Sequence, residues 1–452
     1  MYFSRRVFLQ IQRPATLGIS VLLLLASCVW GSHQPADLSY KPNPGDPVET
    51  RRGNSAGYQP VFEGQTRGPS VITATPIEIS LIAADAELYK PWSLKFISRS
   101  EFLVAQKNGF IRVVSTDGTI GTPISGVPPV FFNDDIPGSN AGLFDIALDP
   151  DFLSNRTVYF SYAKGDINRS RLTVARATLD SANNRLEDVR DIYQVTPAIA
   201  GAAVYGGRLV FDPSGFLMVS VGDRHRNDSQ YMAQNLDASV GKILRIDKEG
   251  NPAPGNPFVG KAGALPEIWA YGIRSPLGLA FHPMTGELWE IEHGPKGGDE
   301  VNIIKPGVNY GWPVISYGVK SDGSIASSGI HKEPGSNPAS YYFDRENTTG
   351  GGISQFEGME QPRYYWDPSI APGGMTFYRS DVIREWKNNI FVAALSGKHL
   401  IRLIVRDGKV IGEERFLADQ GVRLRDVQEG PDGALYVICD MAEGRIYRIS
   451  KK

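Results

Sequence analysis

The chain has 452 residues, 41% of them hydrophobic and 21% charged, which is the composition of an ordinary globular protein. Its 47 Lys and Arg nearly cancel 49 Asp and Glu, and no basic cluster stands out, so nucleic acid is not expected as a partner. Gly (49) and Pro (31) are spread along the whole length, a distribution that suits many short strands joined by tight turns.

The first residues read as an address. Arg5 and Arg6 sit in a basic start of twin-arginine type, and residues 17–25 form an apolar run too short to span a membrane. Leu25, Ala26, Ser27 and Cys28 follow as in a bacterial lipobox. The expectation is a signal peptide over 1–28, with Cys28 as the lipid-bearing mature N-terminus. That makes the membrane a partner through an N-terminal lipid anchor, and places the protein in the bacterial cell envelope as an exported, periplasmic, outer-membrane lipoprotein. Residues 29–71 are polar and broken by Pro35, Pro42, Pro44, Pro47, Pro60 and Pro69, so they are expected to form a disordered tether. A flexible chain of that length reaches roughly 35 Å. The other cysteine, Cys439, lies in an apolar run and reads as a buried thiol.

From residue 72 onward one pattern recurs: an apolar strand, a turn rich in Pro, Asp or Gly, then a second apolar strand. The pairs are 92–96 with 101–105, 142–148 with 158–162, and 208–211 with 216–220. They continue as 278–281 with 287–289, 374–377 with 389–393, and 425–428 with 434–438. Six such hairpins, and no segment of good length with helical periodicity, predict an all-β, six-bladed β-propeller over 72–452. The wide gap before the fifth hairpin holds the Gly/Ser-rich residues 318–358, expected as a long surface loop above the channel.

Five stretches carry more than strand pattern. They are YGGRLVFDPSG (205–215), YGIRSPLGLAFHP (271–283), EIEHGPKGGDEVNIIKPGVNYGWP (290–313), YYWDPSIAP (364–372) and RLRDVQEGPDG (423–433). Together they resemble the soluble PQQ-dependent aldose sugar dehydrogenases of glucose/sorbosone type, over about residues 91–450. The resemblance implies two cofactors, PQQ and calcium, an aldose oxidised at C1 to its lactone, and an electron acceptor the sequence does not name. It places the carbonyls of Gly294 and Pro295 on the calcium that holds the quinone, a sensible use of hard oxygen ligands. Glu300 and the carbonyl of Tyr310 match a second, structural calcium position. Arg274 matches the arginine beside quinone and substrate, where it would stabilise developing negative charge. Arg423 and Arg425 match the pair that clasps cofactor carboxylates, for which guanidinium forks are suited. His293, Asp299, Ser369 and Asn140 fall around the cofactor, and Asp223 matches the acid that orients the catalytic base.

The base itself is missing. The family's histidine falls at Val204, which cannot accept a proton, and the usual lysine of the fifth blade falls at Ser396. Ile273, Ser275 and Leu277 replace polar groups, and Asn140 stands where a substrate-side Gln is usual. His225, two residues after Asp223, is the substitute base this pattern suggests. Changes gathered on one surface over an intact strand framework are what an altered or lost activity leaves behind. Two other readings therefore accompany the dehydrogenase: an inactive lipid-anchored propeller that binds a glycan or protein, and a calcium-dependent lactonase. The lactonase ranks last, because such enzymes hold calcium with axial side chains rather than with a Gly-Pro carbonyl pair.

Overall fold

Strands such as Leu143–Leu148 (LFDIAL) and Leu435–Cys439 (LYVIC) are buried along nearly their whole length. Near-continuous apolar runs of this kind, interrupted here only by buried Asp145, form where a sheet is covered on both faces. The computed structural model describes residues 43–452 except 56, 227–228, 321–322, 325 and 327–352, and its strands form six four-stranded antiparallel sheets. Each expected hairpin is the innermost and second strand of one sheet. The innermost strands are Pro91–Phe96, Leu143–Leu148, Gly206–Phe211, Pro276–Phe281, Pro372–Phe377 and Leu424–Glu429, here numbered as blades one to six. They pack neighbour to neighbour in a closed cycle. Six buried apolar clusters fill the six gaps between adjacent blades, so each blade is stabilised by both neighbours rather than by a core of its own.

The ring is closed by strand exchange. Ile77–Asp85 pairs antiparallel with the C-terminal strand Gly444–Lys451, with Ile77 opposite Lys451, and so supplies the outer strand of blade six. Cys439 is a buried free thiol, as expected.

The signal segment, the lipobox with Cys28 and residues 29–42 lie outside the described residues, as does most of the 318–358 loop. The remainder of the expected tether is corrected by the structure. Residues 43–71 pack on the outer edges of blades four and five: Ser70 bridges Glu413, Glu49 pairs with Arg415, and Gly68 donates its N–H to the Tyr364 hydroxyl at 2.7 Å. Gln65 is fully buried and donates to the Pro362 carbonyl, while Arg67 donates to the carbonyls of Glu49, Arg51 and Asp367. The segment is polar, yet many of its polar groups find partners in residues some 300 positions away.

Around the axis, buried Arg208 reaches Asp145 of blade two and Asp426 of blade six, both at 3.3 Å. It also donates to the Leu277 carbonyl of blade four and lies 4.5 Å from the Trp92 ring of blade one. One guanidinium thus ties five blades. All six pairings of innermost with second strand also shift register near the start of the innermost strand. Bulges of this kind re-aim side chains. Arg425 stands in the shift between Leu424 and Asp426. An antiparallel meander puts the segments before each innermost strand, and the turns between second and third strands, at the same end of the ring. Most of the candidate residues lie in those segments; Glu300 is in the third strand of blade four, Arg425 near the start of the innermost strand of blade six, and Tyr310 in the connection between the third and fourth strands of blade four.

Candidate functional site

Arg274 precedes the innermost strand of blade four and organises the site. Its Nη1 donates to the carbonyls of His293 and Gly294, both at 2.8 Å, and its Nη2 meets Nδ1 of His225 at 3.1 Å. The guanidinium also lies 5.1 Å from the Trp312 ring. Its backbone N–H donates to Glu292, and its Nε is buried without a partner.

The 294–299 loop is held from below by Asp299. One carboxylate oxygen accepts the Gly294 N–H and the Ser369 hydroxyl, and the other accepts the N–H groups of Ile370 and Ala371 at 2.7 and 2.8 Å. Burial pushes the Asp299 carboxyl up to about 6 against these hydrogen bonds. Ser369 in turn accepts the Gly297 N–H. Asp299 and Ser369 therefore fix the loop's shape. A Cβ on Gly294 would stand 2.2 Å from the Gly298 carbonyl, so the chain closes only with glycine there.

His293 donates from Nε2 to the Pro372 carbonyl at 2.7 Å. Burial pushes its imidazole down to about 3, with the charges of Arg274, Arg425 and Arg423 adding to the effect. The imidazole is neutral, and the three arginines share its neighbourhood although 149 to 151 positions separate Arg274 from the other two. Arg423 and Arg425 both reach the same oxygen of Asp440, at 3.3 and 2.8 Å. Burial alone would raise the Asp440 carboxyl; Arg425, Arg423 and Lys107 outweigh it and hold the group far below the usual carboxylate range.

Asp223 is fully buried, and its carboxylate accepts the backbone N–H of His225 and the indole N–H of Trp312, both at 2.8 Å. It shapes the loop that carries His225; these two bonds leave the imidazole ring to Arg274. An N–H of Arg274 occupies Nδ1, so the neutral ring carries its proton on Nε2. Arg274's charge, then burial, lower the imidazole's affinity for a second proton. Val204 lies across this loop at φ 47°, a left-handed conformation that a β-branched side chain rarely adopts. Its carbonyl accepts the Arg224 N–H, and the Asn140 N–H donates to the Ala202 carbonyl two residues before it. The Ser396 hydroxyl is buried without a partner.

Beneath the loop, Glu300 stands opposite Glu292, and Asn302 donates to both Glu290 and Glu300. Burial, then mutual repulsion, raise Glu290 and Glu300 well above the usual carboxylate range, and burial raises Glu292 to about 7. One oxygen each of Glu290 and Asn302 is buried without a partner. Tyr310 is close enough to feel Glu290; its hydroxyl donates to the Ile303 carbonyl at 2.6 Å. Among the described residues no three His, Cys, Asp or Glu side chains converge as a metal cage, so a cation here would draw on carbonyl oxygens. Lys107, Asp440, Trp312 and Glu292 are missed by the sequence reading. The first two lie in turns between second and third strands, and blade register alone could have found them.

The architecture defines a six-bladed propeller whose one end gathers arginines, a glycine-closed carbonyl loop and buried carboxylates from several blades. The sequence matches the glucose/sorbosone dehydrogenase family over residues 88–356 and 345–448, and the chain belongs to that family. It is 34% identical over 385 residues to the aldose sugar dehydrogenase YliI of Escherichia coli, covering 85% of this chain and 96% of that one. Identity to the quinoprotein glucose dehydrogenase B of Acinetobacter calcoaceticus is 26% over 416 residues, covering 79% of this chain and 84% of that one. The apo crystal structure of the soluble E. coli aldose sugar dehydrogenase superposes with a TM-score of 0.72 at 34% identity, over 83% of this chain and all of that one. The protein is thus an oxidoreductase of the sugar-dehydrogenase type.

Proposed function

We propose that the chain binds PQQ and calcium at this end of the propeller and oxidises an aldose at C1 to the lactone, with proton removal as its weak step. The observation that carries the reading is the meeting of Arg274, the Gly294 loop and the Arg423/Arg425 pair around His293. The chemistry of the donors supports it: buried N–H groups without partners on Arg274 and Arg425 suit an anionic ligand, and unpaired oxygens on Glu290 and Asn302 suit a hard cation. Bound PQQ would accept the hydride from C1, with calcium polarising its quinone.

The chain's own residues do the rest. Gly294 and Pro295 offer carbonyls to one cation, and Glu300 with the Tyr310 carbonyl to a second. Arg423 and Arg425 take carboxylates, and Arg274 is placed to stabilise negative charge beside the loop. His225 is the imidazole available to remove the hydroxyl proton in place of Val204. It can do so at Nδ1 only when the Arg274 N–H leaves. A hydrogen bond to a charged group is worth about 1.5–3 kcal/mol, so this requirement slows proton removal by roughly 10- to 150-fold relative to a free base.

The occupied Nδ1, together with Val204, favours one second reading, a propeller that binds its ligand without turnover. Loaded with PQQ and calcium, the protein is mixed with a panel of aldoses while quinone bleaching and lactone are followed. Slow bleaching with lactone formation supports the enzyme; no bleaching by any aldose leaves the binding protein. We further infer export and lipidation at Cys28. Cys28→Ala should release the protein from the membrane fraction, and retention there refutes the anchor.

A further inference from the structure

Blade one lies between the blades that carry Asn140 and the Arg423/Arg425 pair, and no residue of blade one belongs to the site read from the sequence. Its turn between second and third strands corresponds to those that carry His225, Gly294, Ser396 and Asp440 in other blades. Lys107 occupies that turn and is 5% exposed. Its Nζ makes one long hydrogen bond, 3.3 Å, to the Ser139 carbonyl beside Asn140. Its backbone carbonyl accepts the Leu143 N–H where blade two begins, and its own N–H donates to the Lys90 carbonyl. The charged groups that face it are Asp440, Arg425, Asp134 and Lys90. Lys90 and Asp134 pair with each other at 2.8 Å. Asp440 is shared with Arg423 and Arg425, so three cations surround one carboxylate.

We propose that Lys107 is a third carboxylate-binding cation of this site, completing with Arg423 and Arg425 a cradle for the carboxylates of the bound cofactor. The inference rests on the PQQ reading above. Two positive charges are left over once Asp440 is neutralised, and a ligand bearing several carboxylates supplies the missing anions. An ammonium with three donors and one long hydrogen bond has capacity to spare. Burial has pushed Lys107 down to about 8, so it is still charged at neutral pH, and a nearby anion would raise it again and hold the ammonium form.

The test is an equilibrium titration of the full chain, in calcium, with PQQ and with its uncharged trimethyl ester. Lys107→Met should weaken PQQ binding by about tenfold or more while leaving the ester within about threefold of the wild type. Lys107→Arg should keep most of the affinity, which separates loss of charge from loss of fold. Wild-type affinity for PQQ in Lys107→Met, or equal weakening of PQQ and ester, overturns the inference while the cofactor reading stands. No PQQ binding by the wild type sinks the cofactor reading and this inference with it.

Discussion

Val204→His tests two independent properties of one position. The backbone at 204 is left-handed, at φ 47°, and is locked there by the Arg224 N–H on its carbonyl and by Gly222, whose missing Cβ would lie 2.5 Å from that oxygen. Strain of this kind costs on the order of 1–3 kcal/mol, more for a β-branched side chain than for histidine, which is enriched in this region. The substitution should therefore stabilise the fold by about 1 kcal/mol, raising the midpoint of thermal unfolding by roughly a degree or two in a chain this long. It should also supply a general base whose ring is not engaged by Arg274, raising aldose oxidation by about 10²-fold or more. Differential scanning calorimetry reads the first effect, and dye-coupled turnover of the PQQ- and calcium-loaded protein reads the second. A marked drop in the unfolding midpoint refutes the account of the turn. An unchanged rate in a stable, loaded variant refutes the claim that proton removal is the weak step.

Other substitutions probe the remaining parts. His225→Ala should abolish the residual turnover of the wild type. Because Arg274 and burial hold the imidazole below its ordinary value, that turnover should stay level from pH 8 to about 6.5 and fall only in more acidic solution, as the base becomes charged. Arg425→Met should destabilise the fold by roughly 2–3 kcal/mol, somewhat less than breaking a buried pair outright, since Arg423 and Lys107 still face Asp440. The Asp440 carboxyl is depressed in the fold, so its contribution is present above about pH 4 and lost as pH falls toward its folded value; the difference between wild type and variant in urea denaturation should fade below about pH 4. Tyr364→Phe leaves the Gly68 N–H without a partner and one Glu413 oxygen with only the Trp366 indole N–H. It should cost about 1–3 kcal/mol and make residues 43–71 more open to protease, with unchanged cleavage refuting their packed state.

The six hairpins were legible because the signals of a blade are local: an apolar strand, a Pro/Asp/Gly turn, a second apolar strand. Residues 43–71 were not, because their order comes from Tyr364, Asp367 and Glu413, which no local composition reveals. Motifs alone pointed to Arg274 and Gly294, which the structure brings into hydrogen-bond contact in the candidate site. Motif reading misjudged what neighbours do: Asp223 fixes a loop backbone and an indole rather than an imidazole. Lys107 and Asp440 stand outside any quoted motif and emerge only when equivalent turns of different blades are set side by side.

The decisive experiment is to titrate PQQ into the purified protein, in calcium and then in a chelator. Calcium should give saturable, one-to-one binding with a shifted quinone absorbance, lost or sharply weakened in the chelator. An absorbance that remains that of free PQQ in calcium would contradict the proposed cofactor site.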